Sequence, residues 1–275
     1  MSICVVIPAY NDSETIGRAI KSATADGTAD EVIVVNDGSI DRTVQVVDEM
    51  GEPYVRVISQ PNAGPAAARN AGAAEATAEF IVFLDADDQI LTGALTLFLE
   101  THRSTRSPLV RSGAFDALTP DSPVFAERSD FAYPRGAPLA GTFSVSRDLL
   151  AQVGGYDEKF RFGETSELLF RLVSRIGPKN VAYVRSPTVR TFARGDRAPD
   201  YYDDFRRAGV LRMIELHGVE LRHDRSTLAN HHAIAAVQSR RTYHRKAALP
   251  HAALAVRYDP LVWRHWIRIG RTFFT

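Results

Sequence analysis

The stretch "FLDADD" (83–88) sets Asp85, Asp87 and Asp88 within four positions, directly after the apolar run "EFIVFL". Like charges this close repel, so they either spread into solvent or share a cation. A hard divalent cation takes oxygen ligands and commonly binds through one or two carboxylates together with substrate phosphates. Asp85 and Asp87, two apart at a strand end, offer that donor set. Taken alone, the cluster fits a solvated acidic turn as well, and Asp88 could cap a helix starting near Leu91. Other acidic positions could also do chemistry. Asp37, in "VVNDGSIDRT", can accept the imino N–H of a uracil-type base, because an ionised carboxylate only accepts. The same Asp-Gly pair also suits a plain turn. Glu164 and Glu167 stand three apart and share a helix face if a helix has begun by 164.

Regular elements must hold these groups. "ICVVIP" (3–8), "EVIVVND" (31–37), "YVRVIS" (54–59) and "EFIVFLD" (79–85) read as strands, rich in β-branched and aromatic residues. Between them, "SETIGRAIKSAT" (13–24, with Ser13 at the N-cap), "DRTVQVVDEM" (41–50) and the small-residue "GPAAARNAGAAEA" (64–76) read as helices. This alternation predicts a mainly parallel, Rossmann-like α/β sheet flanked by helices, whose ligands bind beyond the carboxyl ends of the strands. Every polar cluster of this half sits at such an end: "PAYND", "NDGSID" and "DADD". Arg69 and Asn70 interrupt the Ala/Gly surface of the third helix, which otherwise allows close approach. No G-x-G-x-x-G follows the first strand and no G-x-x-x-x-G-K-[ST] occurs, so dinucleotide and P-loop readings lose their main support.

Beyond residue 100 the pattern loosens. "SPLVRSGAFDAL" (107–118) reads as a strand and the Pro-rich 119–140 as a long surface connection. Residues 141–177 read as strand, short helix, Gly-rich turn and longer helix, then "NVAYV" and "PTVRTFA" as two short strands. From Pro199 the chain reads as helical, with breaks at Pro250 and Pro260. The expected division is a domain over 1–198, with halves 1–100 and 101–198, and a helical extension over 199–275.

Charge follows that division. Overall 33 Lys and Arg balance 33 Asp and Glu, yet residues 201–275 hold thirteen basic against six acidic residues. In "DPLVWRHWIRIGRTFFT" (259–275), Arg264, Arg268 and Arg271 form a stripe beside Trp263, Trp266, Ile267, Phe273 and Phe274. Such a helix suits an anionic membrane surface, with "RRTYHRK" (240–246) adding to the basic side. It suits equally a helix packed on its own body or on a second subunit, which leaves an oligomer open. The acidic body carries no nucleic-acid module, so no nucleic-acid partner is expected. Seven of the eight histidines lie in this tail without a convincing ligand spacing, and most are expected at the surface. Cys4, the single cysteine, sits in an apolar run and excludes a disulfide framework or cysteine metal site. No signal-peptide pattern opens the sequence, and no run reaches the roughly 20 apolar residues of a membrane span. The expected location is cytoplasmic, with the inner membrane face as the place of any peripheral attachment.

"VVIPAYNDSETIGRAIKSA", "VIVVNDGSIDRT", "ARNAG", "FLDADD" and "VGGYDEKFRFGETSELLFRL", in this order, resemble family 2 glycosyltransferases of the GT-A fold, over about residues 2 to 195. The resemblance implies transfer of a sugar from a nucleotide-diphosphate donor, above all a UDP-sugar, with inversion. The acceptor it implies is a hydroxyl of a glycan or lipid-linked glycan, as in polysaccharide biosynthesis. It implies that Pro8, Ala9 and Tyr10 line the nucleoside pocket, that Asp37 reads the base and that Arg69 lies near the nucleotide. Asp85, Ala86 and Asp87 match the motif that meets the ribose and the Mn²⁺ or Mg²⁺ on the pyrophosphate, with Asp85 and Asp87 as metal ligands. One position departs from the pattern. The family usually supplies its base as the Asp of a Glu-Asp pair after the Gly-Gly turn, and here the pair reads Glu164-Thr165. Threonine cannot take a proton near neutral pH. Glu164 and Glu167 remain as catalytic candidates, with Glu164 favoured. The alternative for Glu164 is a helix-dipole partner, and for Glu167 a solvated face or an ion pair with Arg171. Two other classes stay open: a nucleotide-binding relative without transfer, and a nucleotidyltransferase. The latter would carry a Gly-rich basic loop after the first strand, which "PAYNDSET" lacks.

Overall fold

Side chains along β1 (Ile3–Ala9) are buried on both faces, as a central parallel strand requires. Ile3, Val5 and Ile7 join α1 (Ile16–Thr24) and α4 (Ala94–Thr105) in one core layer. Cys4 and Val6 face the other way, into a layer with α3 (Pro65–Glu75), α5 (Arg147–Gln152) and the later turns of α6 (Glu164–Ile176). The computed structural model describes residues 1–116, 119–127, 138–192, 199–241, 245–264, 266 and 267. These fall into two compact units, Met1–Glu158 with Leu168–Gly195, and Lys159–Glu167 with Asp196–Thr275.

In the first unit β1 pairs in parallel with β2 (Glu31–Asn36) and β4 (Phe80–Phe83), and β2 with β3 (Val55–Ser59). The helix α2 (Thr43–Met50) connects β2 to β3. This is the expected parallel half. The other half is mixed: β5 (Gln89–Ile90), β6 (Leu109–Asp116), β7 (Thr119–Phe125), β8 (Phe143–Ser146) and β9 (Ala182–Arg190). The order is β3-β2-β1-β4-β8-β6-β9-β5, with β7 on β6.

Three local expectations change. Residues 119–125 are strand β7, off the main path of the sheet, where prolines are tolerated. "NVAYV" and "PTVRTFA" contribute to one strand, β9, in which Pro187 falls opposite Gly113 at a register shift, where the ladder is locally disrupted. Ser13 is not a helix cap. A turn precedes α1, with the Asp12 carbonyl accepting from Thr15 and Ile16 N–H at 3.0 and 2.9 Å. Residues 128–137, within the expected connection, lie outside the described set.

A buried histidine, His102, joins α4 to the sheet. Its ring stacks on Phe80 with centroids 3.7 Å apart. Nδ1 lies 2.7 Å from the Ser107 carbonyl, which can only accept, so Nδ1 donates and Nε2 accepts from Ser144 Oγ at 3.0 Å. Burial lowers its pKa from 6.5 to about 4. The fold therefore holds the neutral ring while the unfolded chain takes a proton, so this stabilisation is complete above pH 6.5 and is lost as pH falls towards about 4. His102→Asn keeps the Ser107 donor and removes the titration. Its melting temperature is expected to be lower than wild type at neutral pH but flatter across that interval, and a curve parallel to wild type would rule the linkage out.

The second unit contains α7 (Pro199–His217), α8 (Arg225–Arg241) and α9 (Arg245–Tyr258). α8 begins behind Asp224, whose carboxylate accepts from Thr227 N–H at 3.1 Å and Thr227 Oγ1 at 2.6 Å. α9 runs through Pro250 without the expected break. Pro250 is exposed and forgoes one helix bond, while buried Ala248, Ala252 and Ala255 keep the helix packed on α8. The break at Pro260 does follow the end of α9. His231 and His232 are buried rather than at the surface, because His231 Nδ1 binds the Thr227 carbonyl at 2.8 Å and His232 binds His251 at 2.9 Å. Of the tail stripe, Arg268, Arg271, Phe273 and Phe274 lie outside the described residues, as do 242–244 of "RRTYHRK". No described helix is long and apolar enough to cross a membrane.

Candidate active site

The strand order reverses around β1, which carries β2 on one side and β4 on the other. Loops leaving the carboxyl ends of such strands form a ligand crevice. Pro8 and Ala9 are buried in β1, and Tyr10 just beyond is exposed. The next residue, Asn11, has φ +55°, a left-handed conformation that asparagine tolerates. Its N–H donates to Ser39 Oγ at 3.1 Å, and its Oδ1 accepts from Ile40 N–H at 2.9 Å. Asp12 N–H adds a bond to Thr43 Oγ1 at 2.8 Å. The loops after β1 and β2 are thus stapled together by their own polar side chains.

Asp37 is 3% exposed at the end of β2. Its Oδ1 accepts from Gln60 Nε2 at 2.7 Å and Ala63 N–H at 2.9 Å, and its Oδ2 from Gly64 N–H at 2.8 Å. The carboxylate therefore organises the entry to α3. Three of roughly four acceptor positions are filled, which leaves about one for a base N–H.

α3 comes close to the sheet because residue 72 is glycine. A Cβ there would lie 2.4 Å from Val6 Cγ1 and 2.9 Å from Val35 Cγ2. That approach delivers Arg69, buried, whose Nη2 meets Asp85 Oδ1 at 2.6 Å. The guanidinium carbon lies 5.2 Å from the Tyr156 ring centroid. Asn70 holds the Gly-Gly turn: its Oδ1 accepts from Tyr156 N–H at 2.8 Å, and its amide donates to the Tyr156 carbonyl and Glu158 Oε1, both at 3.0 Å. Gly155, at φ +69°, is required there, because a Cβ would fall 2.5 Å from Asn70 Oδ1. Sequence reasoning singled out Asn70 as odd on a small-residue surface but missed this partner, 86 residues away.

Beyond β4, Asp85, Asp87 and Asp88 bring carboxylate oxygens within 4.8 Å of one another. Ala86 between them is buried. Asp88 is not a helix cap: α4 starts at Ala94 behind Gly93, and Asp88 Oδ1 accepts from Phe192 N–H at 3.1 Å. Burial, with Asp85 and Asp87 alongside, pushes Asp88 up to about 9. Three carboxylates so placed do not all ionise near neutral pH without a cation. Their all-oxygen donor set fits Mg²⁺ or Mn²⁺.

The second unit holds the other acidic candidates. Glu164 is half-buried and Thr165 buried. Glu167 is 1% exposed, so it does not occupy a solvated face, and its Oε1 lies 2.9 Å from His217 Nε2 of α7. Arg171 donates to the Val153 carbonyl at 2.6 Å. His217 carried no sequence signal, since its partner lies 50 residues earlier.

Residues 4–112 match the family model described as glycosyl transferase family 2. The chain is 42% identical over 100 residues to the succinoglycan biosynthesis protein ExoO of Rhizobium meliloti, over 36% of this chain and 29% of that protein. It is 39% identical over 101 residues to the chondroitin synthase of Pasteurella multocida, over 36% of this chain and 10% of that one. The chain thus spans less than a third of the length of these curated relatives. In fold it is similar to the crystal structure of S. aureus TarS 1–349 in complex with UDP-GlcNAc. The TM-score is 0.66 at 17% identity, over 99% of this chain and 89% of that chain. The sheet and its flanking helices have the GT-A fold, and residues 4–112 match the glycosyl transferase family 2 model.

Proposed function

We propose that this chain transfers a sugar from a nucleoside-diphosphate donor, a UDP-sugar first, to a hydroxyl of a glycan or lipid-linked glycan, with inversion. The reading is carried by the Asp85, Asp87 and Asp88 oxygens gathered within 4.8 Å at the carboxyl end of β4, inside a family 2 segment. Asp87 and Asp85 would hold Mn²⁺ or Mg²⁺, which when bound neutralises charge gathering on the leaving diphosphate. Arg69 fixes Asp85 through its 2.6 Å bond. Tyr10, exposed next to the Ala9 carbonyl that accepts from Asp37 N–H at 2.9 Å, supports a nucleoside stacked at the end of β1, with the base near Asp37. Glu164 takes the proton of the acceptor hydroxyl as its oxygen attacks the anomeric carbon opposite the diphosphate. Glu167, occupied by His217, is the lesser candidate.

A panel of nucleotide-sugars scored for metal-dependent thermal stabilisation, followed by donor hydrolysis assays, tests this. UDP-sugars with Mn²⁺ are expected to raise the melting temperature and to be hydrolysed slowly. No response to any nucleoside diphosphate with either metal would sink the reading. Buried Thr165, where the family pattern has a carboxylate, favours a second reading: a relative that binds nucleotide without transfer. That version stabilises with UDP and Mn²⁺ yet shows no hydrolysis. For the tail, exposed Leu261, Trp263, Trp266 and Ile267 beside Arg264 support an anionic membrane surface, one of the two readings its sequence left open.

A further inference from the structure

We infer that Arg18 is a positioning residue for the divalent cation site, acting through the backbone of Asp87 and braced by the ring of Phe192. This rests on reading Asp85 and Asp87 as the metal ligands. Arg18 projects from α1, and its Nη2 donates to the Asp87 carbonyl at 2.5 Å. The guanidinium carbon lies 4.0 Å from the Phe192 ring centroid. Phe192 in turn donates its N–H to Asp88 Oδ1 at 3.1 Å. Inside the acidic turn a single backbone bond, from Asp88 N–H to the Asp85 carbonyl at 3.0 Å, closes the loop around Asp87.

Asp87 is therefore the residue of the turn whose peptide is held from outside. Its Cα carries both the carboxylate offered to the cation and the carbonyl gripped by Arg18. If that peptide tilts, the carboxylate swings with it. A guanidinium suits the task because its edge donates in a fixed direction while its face lies on an aromatic ring. Lysine, a point charge on a flexible stem, cannot do both.

Simple electrostatics makes the opposite forecast, which gives the inference a test of sign. A guanidinium beside a cation site repels the cation, so removing its charge should tighten metal binding. A positioning role requires the reverse. Loss of an outer support of this kind weakens metal affinity by about 10–100-fold.

The experiment is a Mn²⁺ titration of the full chain in the presence of UDP, with free Mn²⁺ read by electron paramagnetic resonance. Wild type, Arg18→Met and Phe192→Leu are compared, and the circular dichroism and melting temperature of each metal-free protein report folding. Arg18→Met is expected to bind Mn²⁺ about 10-fold more weakly although it has lost a repelling charge, and Phe192→Leu to shift the same way by less. Unchanged or tighter binding in a folded Arg18→Met overturns the inference. Should Arg18→Met not fold, Phe192→Leu decides, and unchanged affinity there overturns it. Wild type that takes up no Mn²⁺ overturns the cation reading itself, and this inference with it.

Discussion

Asp87→Ala is expected to lower sugar transfer by at least ~10²-fold and to abolish stabilisation by Mn²⁺ with UDP. A metal acting as a Lewis acid supplies several kcal/mol of charge stabilisation in the transition state, and each ~1.4 kcal/mol is tenfold in rate. Asp85 is not a clean probe of the metal site. The Asp85 carboxylate is also the 2.6 Å partner of buried Arg69, so removing it takes away an ion-pair contact of a nearly dry guanidinium. A loss at Asp85 would mix chemistry with folding. Asp87 offers its side chain to the cluster, while its backbone carbonyl is what Arg18 holds. An Asp87→Ala protein that still binds Mn²⁺ as wild type does would remove this residue from the metal site.

The same variant has a signature in pH. Asp88 is raised from 3.8 to about 9 by burial and by the neighbouring Asp85 and Asp87 charges. The folded state thus keeps a proton that the unfolded chain has released. The stability this group contributes is complete below 3.8 and is lost as pH rises through about 9. A divalent cation relieves the repulsion that holds the proton on. Mn²⁺ should therefore raise the melting temperature of wild type more near pH 9 than near pH 4. In Asp87→Ala one repelling charge is gone, so the pH slope itself should flatten, with or without Mn²⁺.

The parallel half of the sheet was legible because every β-branched run between Ile3 and Phe83 stops at a polar cluster, and such clusters are local. The position of Asp37 and the aspartates at strand ends follows from that alone. Their partners do not. Asn70 needs Tyr156, Asp88 needs Phe192 and Glu167 needs His217, each pair separated by 50 residues or more. No periodicity records such a contact. The second half misled for a different reason. Proline signals a connection, yet β7 tolerates it off the main path of the sheet, and β9 absorbs Pro187 at a register shift. Pro250 likewise stays inside α9, because alanine packing against α8 outweighs one missing hydrogen bond. Local propensity gave way to tertiary contact at each of these places.

Glu164→Gln is expected to lower turnover by about 10²–10⁴-fold, the range of a general base, and to leave UDP-sugar affinity unchanged. The amide keeps the size and hydrogen-bonding reach of the carboxylate but has no basic lone pair at neutral pH. Donor affinity should survive because the nucleotide is assigned to residues at the ends of β1, β2 and β4. Glu167→Gln supplies the contrast. Glu167 is 1% exposed and its Oε1 faces His217 Nε2 at 2.9 Å, so its carboxylate is committed inside the protein. A glutamine can still accept from that imidazole through its own carbonyl oxygen, and the expected result is a lower melting temperature with turnover within about tenfold of wild type. Single-turnover rates, UDP-sugar Kd and melting curves on both variants separate the roles. If Glu167→Gln alone abolishes transfer while folding and donor affinity hold, the base is Glu167, and His217 becomes the group that orients it. If neither variant loses transfer, the base lies outside this helix, and Thr165 marks a real departure from the family's chemistry.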